Sequence, residues 1–211
     1  ELAEEGFVTL APDYPGFGDY KDARQGAYAR GYTSMTMKGI WNHMRCVDLL
    51  QSLPEVDPNR IGCIGHSLGG HNTLFVGLFD ERIRVMVTSC GFTLFAKYMA
   101  GDLTGWTHDG YMPALATEYG KDPAKMPFDF PDILAALAPR TVFINAPVND
   151  DTFEVSGVRD CVEAARPVFR LYGAEDRLTA VYPEAEHDFP DAERLQAYAC
   201  IRSALVLPRG H

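Results

Sequence analysis

What this sequence lacks narrows its chemistry. No apolar run approaches the roughly 18 residues of a bilayer-crossing helix, and no basic segment leads into an apolar stretch at the start, so no membrane partner is expected. Positive charge is scarce. Lys and Arg number 19 against 29 Asp and Glu, and the formal charge of −10 would repel phosphate backbones, which removes nucleic acid as an expected partner. There is no HExxH, and the scattered histidines and cysteines lack ligand spacing, so no metal is expected. No glycine-rich loop resembles a phosphate cradle, since Gly16-Phe17-Gly18 runs straight into Asp19. No cofactor is expected either. Internal repeats and low-complexity tracts are also missing.

The five cysteines, Cys46, Cys63, Cys90, Cys161 and Cys200, form no CxxC pair and read as buried free thiols. Their odd number points to a reducing compartment. The sequence opens on Glu1, so the expectation is that the natural start, with any export signal on it, is absent; localisation stays open, with the cytoplasm favoured.

What is present is enough for one sizeable core: 211 residues, 46% of them hydrophobic. Short β-rich runs alternate with longer helical-period segments, the pattern of an α/β domain with a mostly parallel sheet of about five strands flanked by helices. Strands are expected at Gly6 to Leu10, Arg60 to Gly65, Ile83 to Ser89, Thr141 to Ala146 and Leu178 to Tyr182. Met37, Ile40, Trp41, Met44, Val47 and Leu50 recur at three- and four-residue steps, which predicts a helix with this stripe in the core. Further helices are expected at Leu68 to Phe79, Gly157 to Tyr172 and Asp191 to Val206. A single domain over 1–211 is expected, with 91–130, rich in aromatics and without a clean period, as a lid-like insertion.

The second strand runs directly into Gly65-His66-Ser67-Leu68-Gly69-Gly70 and then a helix. In this GxSxG turn the serine takes a strained backbone conformation at the apex, and the glycines two positions either side let strand and helix approach. The helix N-terminus adds a positive dipole and a free N–H at Leu68, an oxyanion donor beside the hydroxyl.

A serine hydroxyl needs a histidine base, and the base needs a carboxylate to set its tautomer. Among His43, His66, His71, His108, His187 and His211, only His187 stands just after a strand and before the last helix, where its loop can reach back over Ser67. The acid should follow the strand between them, which ends in Asn149-Asp150-Asp151. Adjacent carboxylates cannot point the same way, and Asp150 is preferred over Asp151. The order Ser67, Asp150, His187 is that of α/β-hydrolases.

On Gly65-His66-Ser67-Leu68-Gly69, on Gly6 to Tyr14 and on Glu186-His187-Asp188-Phe189-Pro190, the chain resembles the α/β-hydrolase superfamily, in its dienelactone-hydrolase-like and acetyl-xylan-esterase-like branch. The resemblance implies a fold that lacks the family's usual first three strands. In the family a missing strand would lie between Gly6 to Leu10 and Arg60 to Gly65, and the expectation is that Gly6 to Leu10 moves into that slot and pairs with Arg60 to Gly65, with a backbone N–H near Tyr14 as second oxyanion donor. An edge bared at Gly6 to Leu10 would favour a homo-oligomer, a dimer or higher. The implied activity is a serine carboxylesterase acting on small-molecule esters of short-chain acyl groups through an acyl-enzyme. His66, Trp106 and Tyr111 are candidate pocket residues. The alternatives are a peptidase of prolyl-oligopeptidase type and a catalytically impaired remnant serving as an assembly module.

Overall fold

The computed structural model of this chain describes residues 1–205; the Val206 end of the last expected helix and His211 lie outside them. In chain order the elements are α1 (Ala23–Ala29), α2 (Met35–Ser52), β1 (Ile61–His66), α3 (Leu68–Phe79), β2 (Ile83–Ser89), α4 (Ala114–Thr117), α5 (Phe130–Ala136), β3 (Thr141–Asn145), α6 (Val155–Leu171), β4 (Leu178–Val181) and α7 (Asp191–Leu205). The chain divides into two compact units, one made of Glu1–Pro58 and Gly101–Pro127, the other of Asn59–Ala100 and the residues from Phe128 onward. The segment expected as an insertion is thus divided: residues 101–127 belong to the first unit and its two ends to the second.

The second unit is an α/β structure whose four strands are all parallel, in the order β1-β2-β3-β4. β2 and β3 are buried along nearly their whole length, which is why they read as continuous apolar runs rather than as alternating ones. α3 is buried without interruption from Gly70 to Gly77, with the polar His71, Asn72 and Thr73 inside along with Leu74, Phe75 and Val76. α6 instead buries one stripe, Gly157, Val158, Cys161, Val162, Ala165 and Phe169, at helical spacing. Phe130, at the start of α5, stacks on Phe92 with centroids 5.2 Å apart and meets Phe95 at 5.4 Å, forming the aromatic part of the core.

In the first unit α2 begins at an N-cap, Ser34, whose Oγ accepts from the Met37 N–H at 2.9 Å. The residues that α2 buries are Met35, Thr36, Gly39 and Val47. Val47 is buried as expected, whereas Met37 (48% exposed) and Trp41 (44%) lie outside, which corrects the expected core stripe at those two positions: apolar spacing alone does not fix how far the buried face extends round the helix. The Met35 N–H donates to the Tyr111 carbonyl at 3.0 Å, tying α2 to the loop before α4.

The expected strand at Gly6 to Leu10 does not form. Among the described residues these have no ladder partner, and Val8 (49% exposed) and Leu10 (42%) face solvent. β-propensity cannot hold a strand whose backbone groups find no neighbour. Among the described residues the sheet therefore has four strands, not five, and the pairing expected between Gly6–Leu10 and the nucleophile strand is overturned. The second donor near Tyr14 and the edge argument for an oligomer lose their basis with it.

Candidate active site

Three of the strands end at the C-terminal rim in His66, Ser89 and Asn145, and the segments that follow β1, β3 and β4 carry Ser67, Asp150 and His187. β1 leads into Ser67, held at φ 52° and ψ −118°, a conformation uncommon outside glycine. Its own N–H is engaged by the Ser89 carbonyl at 2.8 Å, and its carbonyl accepts the first helical bond, from His71 N–H at 2.9 Å. The N–H groups of Leu68, Gly69 and Gly70 therefore sit in the first turn of α3, where no intrahelical acceptor exists. A Cβ at Gly65 would run into the Gly69 backbone, and one at Gly70 would come within 2.7 Å of the Ser89 carbonyl, whereas one at Gly69 would meet nothing. The turn thus depends on Gly65 and Gly70; the second glycine of the motif is sterically free.

The structure brings Ser67, His187 and Asp150 together, 120 and 37 residues apart in sequence. Ser67 Oγ–H donates to His187 Nε2 at 2.8 Å, and Nδ1–H donates to Asp150 Oδ2 at 2.9 Å. The tautomer follows from the network, because a carboxylate can only accept. Asp150 Oδ1 accepts from the N–H groups of Thr152 and Phe153, both at 2.9 Å, so the carboxylate is fixed at both oxygens. Its side chain is 1% exposed against 29% for His187, and Phe153 stacks beside the imidazole at 5.8 Å. Asp151 is exposed and its Oδ1 lies 3.3 Å from Thr152 Oγ1, away from the ring.

Beneath these residues is a polar ladder that the sequence did not reveal. His66, Ser89 and Asn145 are register partners on β1, β2 and β3. His66 Nδ1 and Ser89 Oγ share a hydrogen bond of 3.0 Å; Asn145 Nδ2 donates to Ser89 Oγ and to the Asp188 carbonyl, both at 2.9 Å. The last bond fastens the loop that carries His187. The signal was a polar residue closing each of two apolar strands, Ser89 and Asn145, but without the register nothing marked them as neighbours. His66 is exposed, its ring centroid 5.0 Å from that of His187, and burial, then His187, pull its imidazole below the ordinary histidine range.

The other expected pocket residues belong to the first unit. Trp106 is 5% exposed and packs on Tyr111 with centroids 6.1 Å apart, a core environment rather than a wall open to substrate. Tyr14 is buried as well, its hydroxyl donating to the Gly110 carbonyl at 3.2 Å. β2 adds one residue that sequence reading passed over. Cys90, 3% exposed at φ 48°, donates its thiol to the Asp188 carbonyl at 3.3 Å. Burial, then the Asp150 carboxylate, push that thiol up to about 12, so it stays protonated and is no nucleophile. Ligand atoms of Cys90, Asp150 and His187 lie within 4.8 Å of one another, a grouping that sequence spacing could not show.

The chain is similar to several known proteins. A family model described as "Glucuronyl esterase, fungi" matches residues 20–173. YtaP of Bacillus subtilis (strain 168), a provisionally named hydrolase, is 28% identical over 194 residues, covering 89% of this chain and 61% of its own. The 4-O-methyl-glucuronoyl methylesterase of Hypocrea jecorina (strain QM6a) is 25% identical over 190 residues, covering 79% and 40%. Among solved structures, a carbohydrate esterase family 15 glucuronoyl esterase from Caldicellulosiruptor kristjansonii superposes with a TM-score of 0.70 at 23% identity, covering 91% of this chain and 53% of that one. The chain spans about half the length of such relatives.

Proposed function

The chain belongs to the glucuronyl esterase family, and from that premise we propose that it is a serine hydrolase of carboxylic esters whose acyl part is a uronic acid of the glucuronate type. The observation that carries the chemistry is the continuous relay from Ser67 Oγ through His187 to Asp150, at 2.8 and 2.9 Å. Ser67 Oγ attacks the ester carbon while its proton passes to His187 Nε2; Asp150 holds the ring and stabilises the imidazolium. The oxyanion forms beside the Leu68 N–H at the positive end of α3. Nε2 then gives the proton to the departing alcohol, and water repeats the sequence on the acyl-enzyme. The uronic acid in place of the short-chain acids implied by the earlier resemblance is our reading, supported by the descriptions of the family and of a relative.

The test is release of alcohol from the methyl or benzyl ester of glucuronic acid, with p-nitrophenyl acetate and a peptide anilide run in parallel, for the native chain and Ser67→Ala. The expected result is turnover of the glucuronate ester above that of the acetate, lost on substitution of Ser67. Turnover only of the acetate would keep the hydrolase and refute the substrate class. Faster cleavage of the anilide would replace it with a peptidase, and equal rates in both proteins would leave an inactive module.

A further inference from the structure

Cys90, just beyond the end of β2, has no part in the relay. Its Sγ, an oxygen of Asp150 and a ring nitrogen of His187 nevertheless lie within 4.8 Å of one another. Next to them Asn145 is 1% exposed, and with its Nδ2 committed to Ser89 and Asp188 its Oδ1 has no hydrogen-bond partner among the described residues. Turning the amide over offers no remedy, because the Asp188 carbonyl accepts only from the NH2 end. Cys90, Asn145 and Asp150 line one narrow hollow. A thiol and a carboxylate on this hollow, together with an orphaned carbonyl oxygen there and the nearby imidazole of His187, form a borderline-soft donor set, suited to zinc-like cations rather than to magnesium or calcium.

We propose that Cys90, Asp150 and His187 bind a thiophilic divalent cation of the zinc class, and that its binding switches the hydrolase off. Tetrahedral zinc with bonds of about 2.0–2.3 Å holds its donors roughly 3.3–3.8 Å apart, so the separations that reach toward 4.8 Å close by about an ångström, while Nδ1 and Oδ2, 2.9 Å apart across their hydrogen bond, give up that bond and open slightly. Bonds form from Sγ, from a carboxylate oxygen and from Nδ1 to the metal. The thiol proton leaves to water, and the Nδ1 proton is replaced by one on Nε2. Nε2–H then donates to Ser67 Oγ instead of accepting from it, and the general base is gone. Binding itself is independent of the proposed activity; only its inhibitory consequence rests on the relay.

The native chain titrated with cadmium should show a saturable thiolate-to-metal charge-transfer band at one equivalent. Cys90→Ser and His187→Gln should each weaken binding at least tenfold, while Cys46→Ser, at a half-buried thiol outside the cluster, should leave it unchanged. Zinc should inhibit ester hydrolysis reversibly on chelation, magnesium should not, and Cys90→Ser should need at least tenfold more zinc. Absence of the band, or its survival in Cys90→Ser, overturns the site. If either variant fails to fold, X-ray absorption of the cobalt-loaded native chain decides: one sulfur among nitrogen and oxygen donors is expected, and an all-oxygen shell refutes it. A protein inactive on esters that still shows the band loses the hydrolase reading and keeps the metal site; an active protein without the band does the reverse.

Discussion

Two aspartates stand side by side after β3, and their neighbours separate them. Asp150 is buried, bonded by two backbone N–H groups and by His187, while Asp151 is exposed. Asp150→Ala should therefore lower kcat by about 10⁴-fold, since an unoriented imidazole is a poor base. Asp151→Ala should stay within about twofold, as exposed substitutions usually do; steady-state kinetics of both variants checks the pair. Asn145 acts one layer further back, on the Asp188 carbonyl. Asn145→Ala frees the His187 loop, and a displacement near 1 Å costs on the order of 10²-fold, so the loss is expected in kcat with KM little changed. A fall confined to stability, with kcat intact, would remove its positioning role.

For the strand-turn-helix element the steric requirements are unequal. A Cβ at Gly65 has the Gly69 backbone in its way, so Gly65→Ala should destabilise by about 1–3 kcal/mol and displace Ser67. Gly69→Ala meets open space within a helix and should gain up to about 1 kcal/mol by reducing the freedom of the unfolded chain. Urea unfolding of the two variants tests the asymmetry. The strands β1 to β4 and the helices α3, α6 and α7 were legible because each carries a long run of consistent pattern, punctuated by Gly65, Pro54 or the polar loops. Gly6 to Leu10 has the same local composition but no partner strand, and pairing, not composition, makes a strand. In α2 the period was legible while the buried face was not, because Met37 and Trp41 are as apolar as the residues inside.

For the molecule as a whole, the buried histidine of α3 sets an acid limit. His71 is fully buried against Phe75, 4.5 Å between ring centroids, and burial pulls its pKa down to about 3. The unfolded chain, titrating near 6.5, binds the extra proton between those values, so stability falls as the pH drops from about 6.5 toward 3. Between pH 7 and pH 5 this group should account for about 2 kcal/mol of lost stability. Urea unfolding at the two pH values should show that loss in the native chain and a smaller one in His71→Leu; equal losses would assign the acid sensitivity elsewhere.

By itself the sequence determined the α/β class and the strand-turn-helix around Ser67, and it singled out His187 as the candidate base, because each rests on local chemistry: a period, a strained turn, a loop between strand and helix. Only the tertiary structure decided which aspartate faces the imidazole, that the sheet stops at four strands, and that His66, Ser89, Asn145 and Cys90 surround the relay. Those contacts join residues tens of positions apart through the register of parallel strands. Register is set by long-range packing and hydrogen bonding, on which no single stretch of sequence carries the information.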